Sequence, residues 1–361
     1  MKQTEPTVYK SQINKNMKQA LTYDDIQLIP KFSDIVTRQN IDLTTNVSRN
    51  YKIRVPIVAS CMDTVCESEM AIAMMEMGGV GCIHRFMSIE DQVAEVAKVK
   101  HFQMNSPESC WDLPIMAAVG AVDDYLERAQ ALCAAGCQII LIDVAHGHHA
   151  NVRTAIATLK ENLHETVDVI AGNVATEEAA RDLVNWGADG LRVGIGGGSL
   201  CTTRVQTGFG VPNVTSILDC VEGNYRDVPI MADGGIKSSG DIAKALAVGA
   251  DCVMVGSLIS GTKESPGAIL ENARGLYKRY RGSASLETKI THSQKQRNVE
   301  GESTTVPFKG GVKFILAGLI DGIKSAFSYT GASTTSEYWS KVEYNAVTNA
   351  GLAEAKPHLI S

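Results

Sequence analysis

The chain has 361 residues, enough for one large or two small domains at roughly 150 residues each. Its 34 Lys and Arg against 40 Asp and Glu give a net charge of -6 with no run of like charge, which argues against nucleic acid as a partner. Apolar residues make up 44%, yet Lys, Asp, Glu or Gly breaks every stretch well short of the roughly 18 residues that span a bilayer, so no membrane partner is expected.

In chain order, Met1 to Lys18 is polar and Lys-bearing, without the apolar stretch of a signal peptide or anchor, so a cytoplasmic location is expected. The arm from Met1 to Pro30 precedes any repeat and is expected to cover an end of the fold or a neighbour. Short apolar, β-branched runs then recur at Ile57–Ala59, Val80–His84, Met116–Gly120, Gln138–Asp143, Val167–Asn173, Gly190–Gly194, Pro229–Asp233 and Cys252–Gly256. Segments between them, such as Glu177 to Trp186 and Asp241 to Val248, are Ala-rich with helical periodicity. Strand then helix, eight times over, predicts an α/β fold of the (β/α)8 TIM-barrel type, one catalytic domain over residues 1–361. The competing doubly wound sheet wants a G-x-G-x-x-G turn after an early strand, and the one Gly-rich run, Gly194 to Ser199, follows the sixth strand and leads into Leu-Cys-Thr-Thr-Arg rather than a helix start.

Lys278 to Thr305 is polar and charged, a mobile excursion that reads as an active-site flap, and the tail from Trp339 to Ser361 lies outside the repeat. Seven of the nine cysteines sit inside apolar runs, as buried reduced thiols do, and the pair Cys133 and Cys137 lacks partners at zinc spacing.

Barrel enzymes build their sites just after the strands, and the polar residues there are numerous. Ser60 to Thr64 follow the first strand, Asp143, His146 and His148 the fourth, Asn173 the fifth, Cys201 the sixth, Asp233 to Gly235 the seventh, and Gly256 and Ser257 the eighth. Cys201 is the cysteine in a Gly-flanked polar loop, and Arg204 nearby would favour its thiolate, which is the setting of a nucleophile. Glycines around Ser199, Gly235 and Gly256–Ser257 would free backbone N–H groups for an anion, so a phosphorylated small molecule is the expected substrate. No carboxylate completes a metal site with His146, His148 and His149, which read as helix-start or solvent-facing groups. Asp143 ends a buried strand, a costly place for a carboxylate that holds neither a cation nor a ligand hydroxyl.

Seven motifs in order carry a family resemblance: Leu21-Thr-Tyr-Asp-Asp-Ile26, Met62-Asp-Thr-Val65, the run from Gly194 to Arg204, Met231-Ala-Asp-Gly-Gly235, Val255-Gly-Ser257, Tyr280-Arg-Gly-Ser283 and Val306-Pro-Phe-Lys-Gly310. Together they resemble the inosine monophosphate dehydrogenase/guanosine monophosphate reductase family along nearly the whole chain. The resemblance implies that Cys201 attacks C2 of a purine nucleotide to form a thioimidate, with Thr203 assisting and a nicotinamide dinucleotide as hydride partner. It implies substrate contacts at Ser199, Gly235, Gly256, Ser257, Tyr280, Gly282 and Ser283, with Asp233 on the ribose hydroxyls. Asp143 and Asn173 would lie on the nicotinamide side. Backbone carbonyls of Gly196, Gly198 and Cys201 would hold a monovalent cation such as K+, with Gly197 standing where the family usually has Pro. A homotetramer is implied as well.

The two branches of the family differ in the fate of the thioimidate. Dehydrogenases usually insert a regulatory domain where this chain passes from Lys98 to Leu113 in about 15 residues, and they use an Arg-Tyr pair in the flap to activate water, where this chain offers Arg297-Asn298. Resemblance to dehydrogenases remains in Met62 to Lys100 and in Gly351 to His358. The expected activity is therefore NADPH-dependent reductive deamination of GMP to IMP and ammonia. The alternatives are an NAD-dependent IMP dehydrogenase without the regulatory domain and a non-catalytic nucleotide-binding homologue. An amine leaves poorly unless protonated, so an acid is needed near Thr203. Reductases of the family show a Glu directly after the Ser, where Leu286 stands here, and Glu287 one place later is the expected relay.

Overall fold

The computed structural model describes residues 17–273, 275–292 and 299–355. Of the expectations above, Arg297 and Asn298, the first part of the N-terminal arm and the end of the tail lie outside these residues.

Strand β1 (Ile26–Leu28) follows a single 3₁₀ turn, and a hairpin of β2 (Thr45–Ser48) and β3 (Tyr51–Ile53) comes next. The barrel itself is β4 (Ile57–Ala59), β5 (Val80–Ile83), β6 (Met116–Val119), β7 (Ile139–Asp143), β8 (Asp168–Val174), β9 (Gly190–Val193), β10 (Ile230–Asp233) and β11 (Cys252–Val255). Every neighbouring pair is parallel and β11 returns to β4, which closes an eight-stranded barrel with each strand at its expected place. Strands covered on both faces are mostly apolar, and all five residues of β7 and all seven of β8 are buried, their polar residues Asp143, Asp168 and Asn173 included.

Helices α1 (Ser68–Glu76), α2 (Ile89–Met104), α3 (Tyr125–Ala134), α4 (Ala150–Asn162) and α5 (Glu177–Trp186) fill the first five connections. Local chemistry sets their ends. Thr176 caps α5 by accepting from the Ala179 N–H, Glu177 and Glu178 stand at the positive end of its dipole, and Gly187 ends it at φ 103°, a left-handed conformation that glycine adopts without strain. The α2 to β6 connection is short, with no domain inserted in it. A five-residue helix, α6 (Thr203–Thr207), begins two residues after Cys201, where the sequence promised none. Then follow α7 (Asn213–Gly223) and α8 (Ser239–Ala247).

Between β11 and the last barrel helix, α10 (Val312–Thr330), the chain leaves the barrel. The excursion is a folded unit, with β12 (Leu270–Asn272), β13 (Gly275–Arg281) and β14 (Ser303–Pro307) in one antiparallel sheet and the short α9 (Leu286–Thr291) between the last two. It starts earlier than its polar composition suggested, because Leu270 to Tyr277 carries enough apolar residues to read as ordinary chain. Lys278 on β13 anchors it, its ammonium donating to the Thr262, Lys263 and Ser265 carbonyls beneath.

The first and last strands of the described chain pair with each other. After α11 (Thr335–Lys341), β15 (Tyr344–Ala346) pairs antiparallel with β1, and α12 (Asn349–Glu354) ends the described chain. The β2–β3 hairpin closes the end of the barrel where the strands begin. There the buried Asp168 carboxylate accepts from the Ser48 hydroxyl at 2.6 Å and from the Asn50 backbone and side-chain amides at 2.8 and 2.7 Å. With that end plugged, only the loops at the other end face open space. Among the described residues no helix is long and apolar enough to cross a membrane.

Candidate active site

Cys201 is the one exposed thiol of the nine. Burial pushes the others upward where a shift is resolved, Cys133 to about 11 and Cys66 and Cys252 further. The Cys201 S–H donates to the Thr203 hydroxyl at 3.1 Å, and that hydroxyl donates to the Glu300 carboxylate at 2.7 Å. Thiol, hydroxyl and carboxylate thus form one proton path.

The partner on Thr203 is Glu300 where Glu287 was expected. Glu287 is turned away, accepting from Arg279 at 2.8 Å and from Arg281 at 3.4 Å. Burial pushes its carboxyl up, but the Ser303 hydrogen bond and the two guanidinium groups hold it below the ordinary range, as a charged, paired group. Glu300 arrives by backbone pairing. Cys201 bridges Gly301 antiparallel, the Thr202 N–H donates to the Glu300 carbonyl at 2.9 Å, and the Glu302 N–H to the Leu200 carbonyl at 2.9 Å. No local pattern encodes that register; the hint in the sequence is the acid-Gly pair Glu300-Gly301.

Arg204 does not approach the thiol's partner. Its side chain runs beside Gly196 and Gly210, where an added Cβ would stand 2.8 and 2.6 Å from it, and it donates to the Val211 carbonyl. It braces the loop. Gly197, too, has a packing reason, since a Cβ there would meet the Asn213 amide oxygen at 2.3 Å.

A cavity of about 500 Å³ opens beside the thiol, lined by Ser199, Cys201, Thr203, Asp143, Asn173, Asp233, Tyr280, Gly282, Ser283 and Glu300 together with Gly196 and Gly198. At one wall the Ser199 hydroxyl and the Tyr280 phenol are hydrogen-bonded at 2.9 Å, and Gly256 lies against that phenol, where a Cβ would come within 3.2 Å. Gly235 and Ser257 do not line the cavity. Gly235 has φ +75° and packs against Asn213, while the Ser257 carbonyl accepts from Lys309. Among the expected catalytic residues, Glu287 is the one that the fold turns away from Cys201.

Across the barrel mouth is a buried charge cluster that sequence reading missed in part. Arg192, inside β9, donates to Asp143 at 2.6 Å and to Asp233 at 2.9 to 3.0 Å, and the Asn173 amide also donates to Asp233 at 2.8 Å. Burial raises the Asp143 carboxyl, yet the Arg192 and Arg85 guanidinium groups bring it below its usual value. An Arg within an otherwise apolar strand, Gly190-Leu-Arg-Val193, was the available signal.

From Arg85, Phe86 and Val144, which line both, a second cavity of about 780 Å³ extends outward over Gly120 to Asp124, His146, His149 and His292. His149 caps α4, its Nδ1 accepting from the Asn151 N–H at 3.1 Å, and the His148 Nε2 lies 2.8 Å from Asp182. Among the described residues no His, Cys, Asp and Glu cluster forms a metal site.

An exposed thiol hydrogen-bonded through a hydroxyl to a carboxylate, at the open end of a closed barrel and beside a cavity, is the setting of a barrel enzyme's active site. Comparison with known proteins narrows the class. The IMP dehydrogenase / GMP reductase domain profile matches residues 20–358, and the chain belongs to that family of oxidoreductases, which use nicotinamide cofactors. It is 38% identical over 389 residues to an inosine-5'-monophosphate dehydrogenase of Cryptosporidium parvum, spanning 95% of this chain and 96% of that protein. It is 31% identical over 481 residues to a GMP reductase of Leishmania major, spanning 96% and 98%. A crystal structure of GMP reductase from Trypanosoma brucei, a Cys-to-Ala variant in complex with guanosine 5'-monophosphate, superposes with a TM-score of 0.87 at 29% identity, covering 96% of this chain and 99% of that one.

Proposed function

We propose that this enzyme reduces GMP to IMP and ammonia, with NADPH as hydride source. The observation that carries the reading is the Cys201–Thr203–Glu300 path, because a proton route ending at the thiol suits a reaction in which an amine leaves. In the flap, in addition, Arg297-Asn298 stands where the dehydrogenases of the family carry the Arg-Tyr pair that activates water.

In this reading the Ser199 and Tyr280 wall, with Gly256, Ser257, Gly235, Gly282 and Ser283, holds the 5'-phosphate, and Asp233 takes the ribose hydroxyls. Hydroxyl and backbone donors among glycines suit a seated phosphate. Cys201 Sγ bonds to C2, the bond from C2 to the exocyclic amine breaks, and the thiol proton passes through Thr203 and Glu300 to leave with the amine as ammonia. The reduced dinucleotide supplies hydride at C2 when bound. The C–S bond then breaks, IMP leaves, and the thiolate regains a proton by the same path. Asp143, Asn173, Arg85 and the 780 Å³ cavity beyond them accept the dinucleotide, being continuous with the thiol pocket and of suitable size.

The reading also includes K+ on the Gly196, Gly198 and Cys201 carbonyls and a cytoplasmic homotetramer of one catalytic domain; exchange of K+ for Na+ and light scattering test these. The second reading, IMP oxidation with NAD, is favoured by the 38% identity to a dehydrogenase over nearly the full chain. A paired assay separates them. Loss of NADPH absorbance with GMP supports reduction, gain of NADH absorbance with IMP supports oxidation, and nucleotide binding with neither rate indicates a non-catalytic homologue.

A further inference from the structure

The Met62-Asp63-Thr64 motif after the first barrel strand has no part in the chemistry above, although Asp63 is among the most buried charges of the loop end, its side chain 2% exposed. Its Oδ2 accepts from Arg281 of β13 at 2.7 Å and lies 3.0 Å from the His292 Nε2 at the end of α9. Thr64 next to it accepts from the Arg281 backbone N–H at 3.1 Å. Asp63 Oδ1 and Arg281 Nε have no hydrogen-bond partner among the described residues. Two neighbouring residues of one barrel loop therefore grip the excursion at two points, more than 200 residues away in sequence.

What they grip bears on the site. Tyr280, Gly282 and Ser283 line the thiol cavity on either side of Arg281, and Glu300 enters on the same excursion. His292 lines the outer cavity and packs on Phe86, ring centroids 5.8 Å apart, while the Arg85 guanidinium sits over Phe86 at 4.9 Å. Glu287 completes the arrangement from above by pairing with Arg281 and Arg279.

We propose that Asp63 is a positioning residue: by holding Arg281 and His292 it seats the β13–α9 excursion on the barrel and so registers Tyr280, Ser283 and Glu300 against Cys201. A carboxylate buried between two basic side chains holds geometry well, because removing either side leaves an unpaired buried group. The proposal rests on the functional reading for its kinetic consequences only.

The test is Asp63→Asn, nearly isosteric and uncharged, with His292→Gln as a milder second variant. Hydrogen exchange of the segments 275–292 and 299–307 is expected to quicken about tenfold or more, with β7 and β8 as protected as in the wild type. Alkylation of Cys201 by iodoacetamide, mapped by peptide, is expected to quicken too, because Gly301 no longer covers it in fixed register. With GMP and NADPH, kcat/KM is expected to fall by about 10- to 100-fold, the scale of an ångström's misplacement, and the two substitutions combined are expected to cost less than the product of their separate effects. Protection, alkylation and kinetics all within twofold of wild type in Asp63→Asn overturn the proposal. So does exchange that quickens equally in β7 and β8, or a His292→Gln variant with unchanged exchange in 275–292. If the wild type turns over no GMP, the functional reading falls, and the exchange and alkylation results still decide this one.

Discussion

The two ends of the barrel hold buried charge in opposite ways. At the plugged end Asp168 accepts three hydrogen bonds from the β2–β3 hairpin, and Asp189 accepts from Arg49, Lys160 and the Val169 N–H at 3.1, 2.6 and 2.9 Å. Among the described residues, buried side-chain atoms of Asp63, Arg85 and Arg281 without a hydrogen-bond partner are found at the loop end. Buried polar groups are nearly always satisfied, so their concentration at one end marks where the fold has given up stability for a site. The site carboxylates Asp143 and Asp233 are themselves paired with Arg192, so the mark of this end is the group of unpaired buried atoms and not the state of any single carboxylate.

The sharpest way to break this contrast is at Cys201. Cys201→Ala is expected to abolish turnover while GMP still binds, since phosphate and ribose contacts lie elsewhere. Retention of more than about a tenth of wild-type turnover would falsify a covalent role for this thiol. Next in size comes Glu300→Gln, expected to slow GMP reduction by about 100-fold with little change in GMP affinity, as loss of a proton-relay group does. Glu287→Gln, whose partners are Arg279, Arg281 and Ser303 and not Thr203, is expected to stay within about threefold of wild type. Reversed effects of the two would restore the sequence-based assignment.

Those two glutamates also show what the sequence could and could not reveal. All eight barrel strands were readable, because a strand buried on both faces is written mostly in apolar residues, even where a polar residue such as Arg192 interrupts it. Cys201 was readable from position, its loop following a strand and its neighbours being glycines. Glu300 was not, because its place depends on the antiparallel bridge from Cys201 to Gly301, a contact between segments 100 residues apart whose register leaves no periodic trace. Glu287 looked right by spacing along the chain, yet α9 begins at Leu286 and carries it to the outer face. Arg192 was hidden by its strand, where its neighbours signalled core and nothing else.

The plugged end makes the opposite prediction. Asp168→Ala removes the acceptor of three donors in a fully buried place, and is expected to cost about 3 kcal/mol of stability by denaturant unfolding, while kcat per folded molecule stays unchanged. A large kinetic defect at unchanged stability would erase the division of labour between the two ends.

Asp251 refines the comparison, for it lies at the plugged end and lacks that end's usual satisfaction. Its carboxylate accepts one bond, from the Ile230 N–H at 2.7 Å. Burial, with the nearby Asp227 charge adding to it, pushes it up to about 7 from its ordinary 3.8. The folded state therefore holds a proton that the unfolded chain releases. The stability associated with this group is fully present below about pH 4 and is lost as the pH rises to 7, on the order of 2 kcal/mol between pH 5 and 8. Asp251→Asn keeps an acceptor for Ile230 and cannot ionise, so its stability relative to wild type is expected to rise with pH across that window and level off above it. Denaturant midpoints for the two proteins at pH 5, 6, 7 and 8 give the difference directly, because every other titrating group is common to both. A difference that stays flat across the window means that Asp251 keeps an ordinary carboxylate's charge in the folded barrel, with a partner that the static arrangement does not supply.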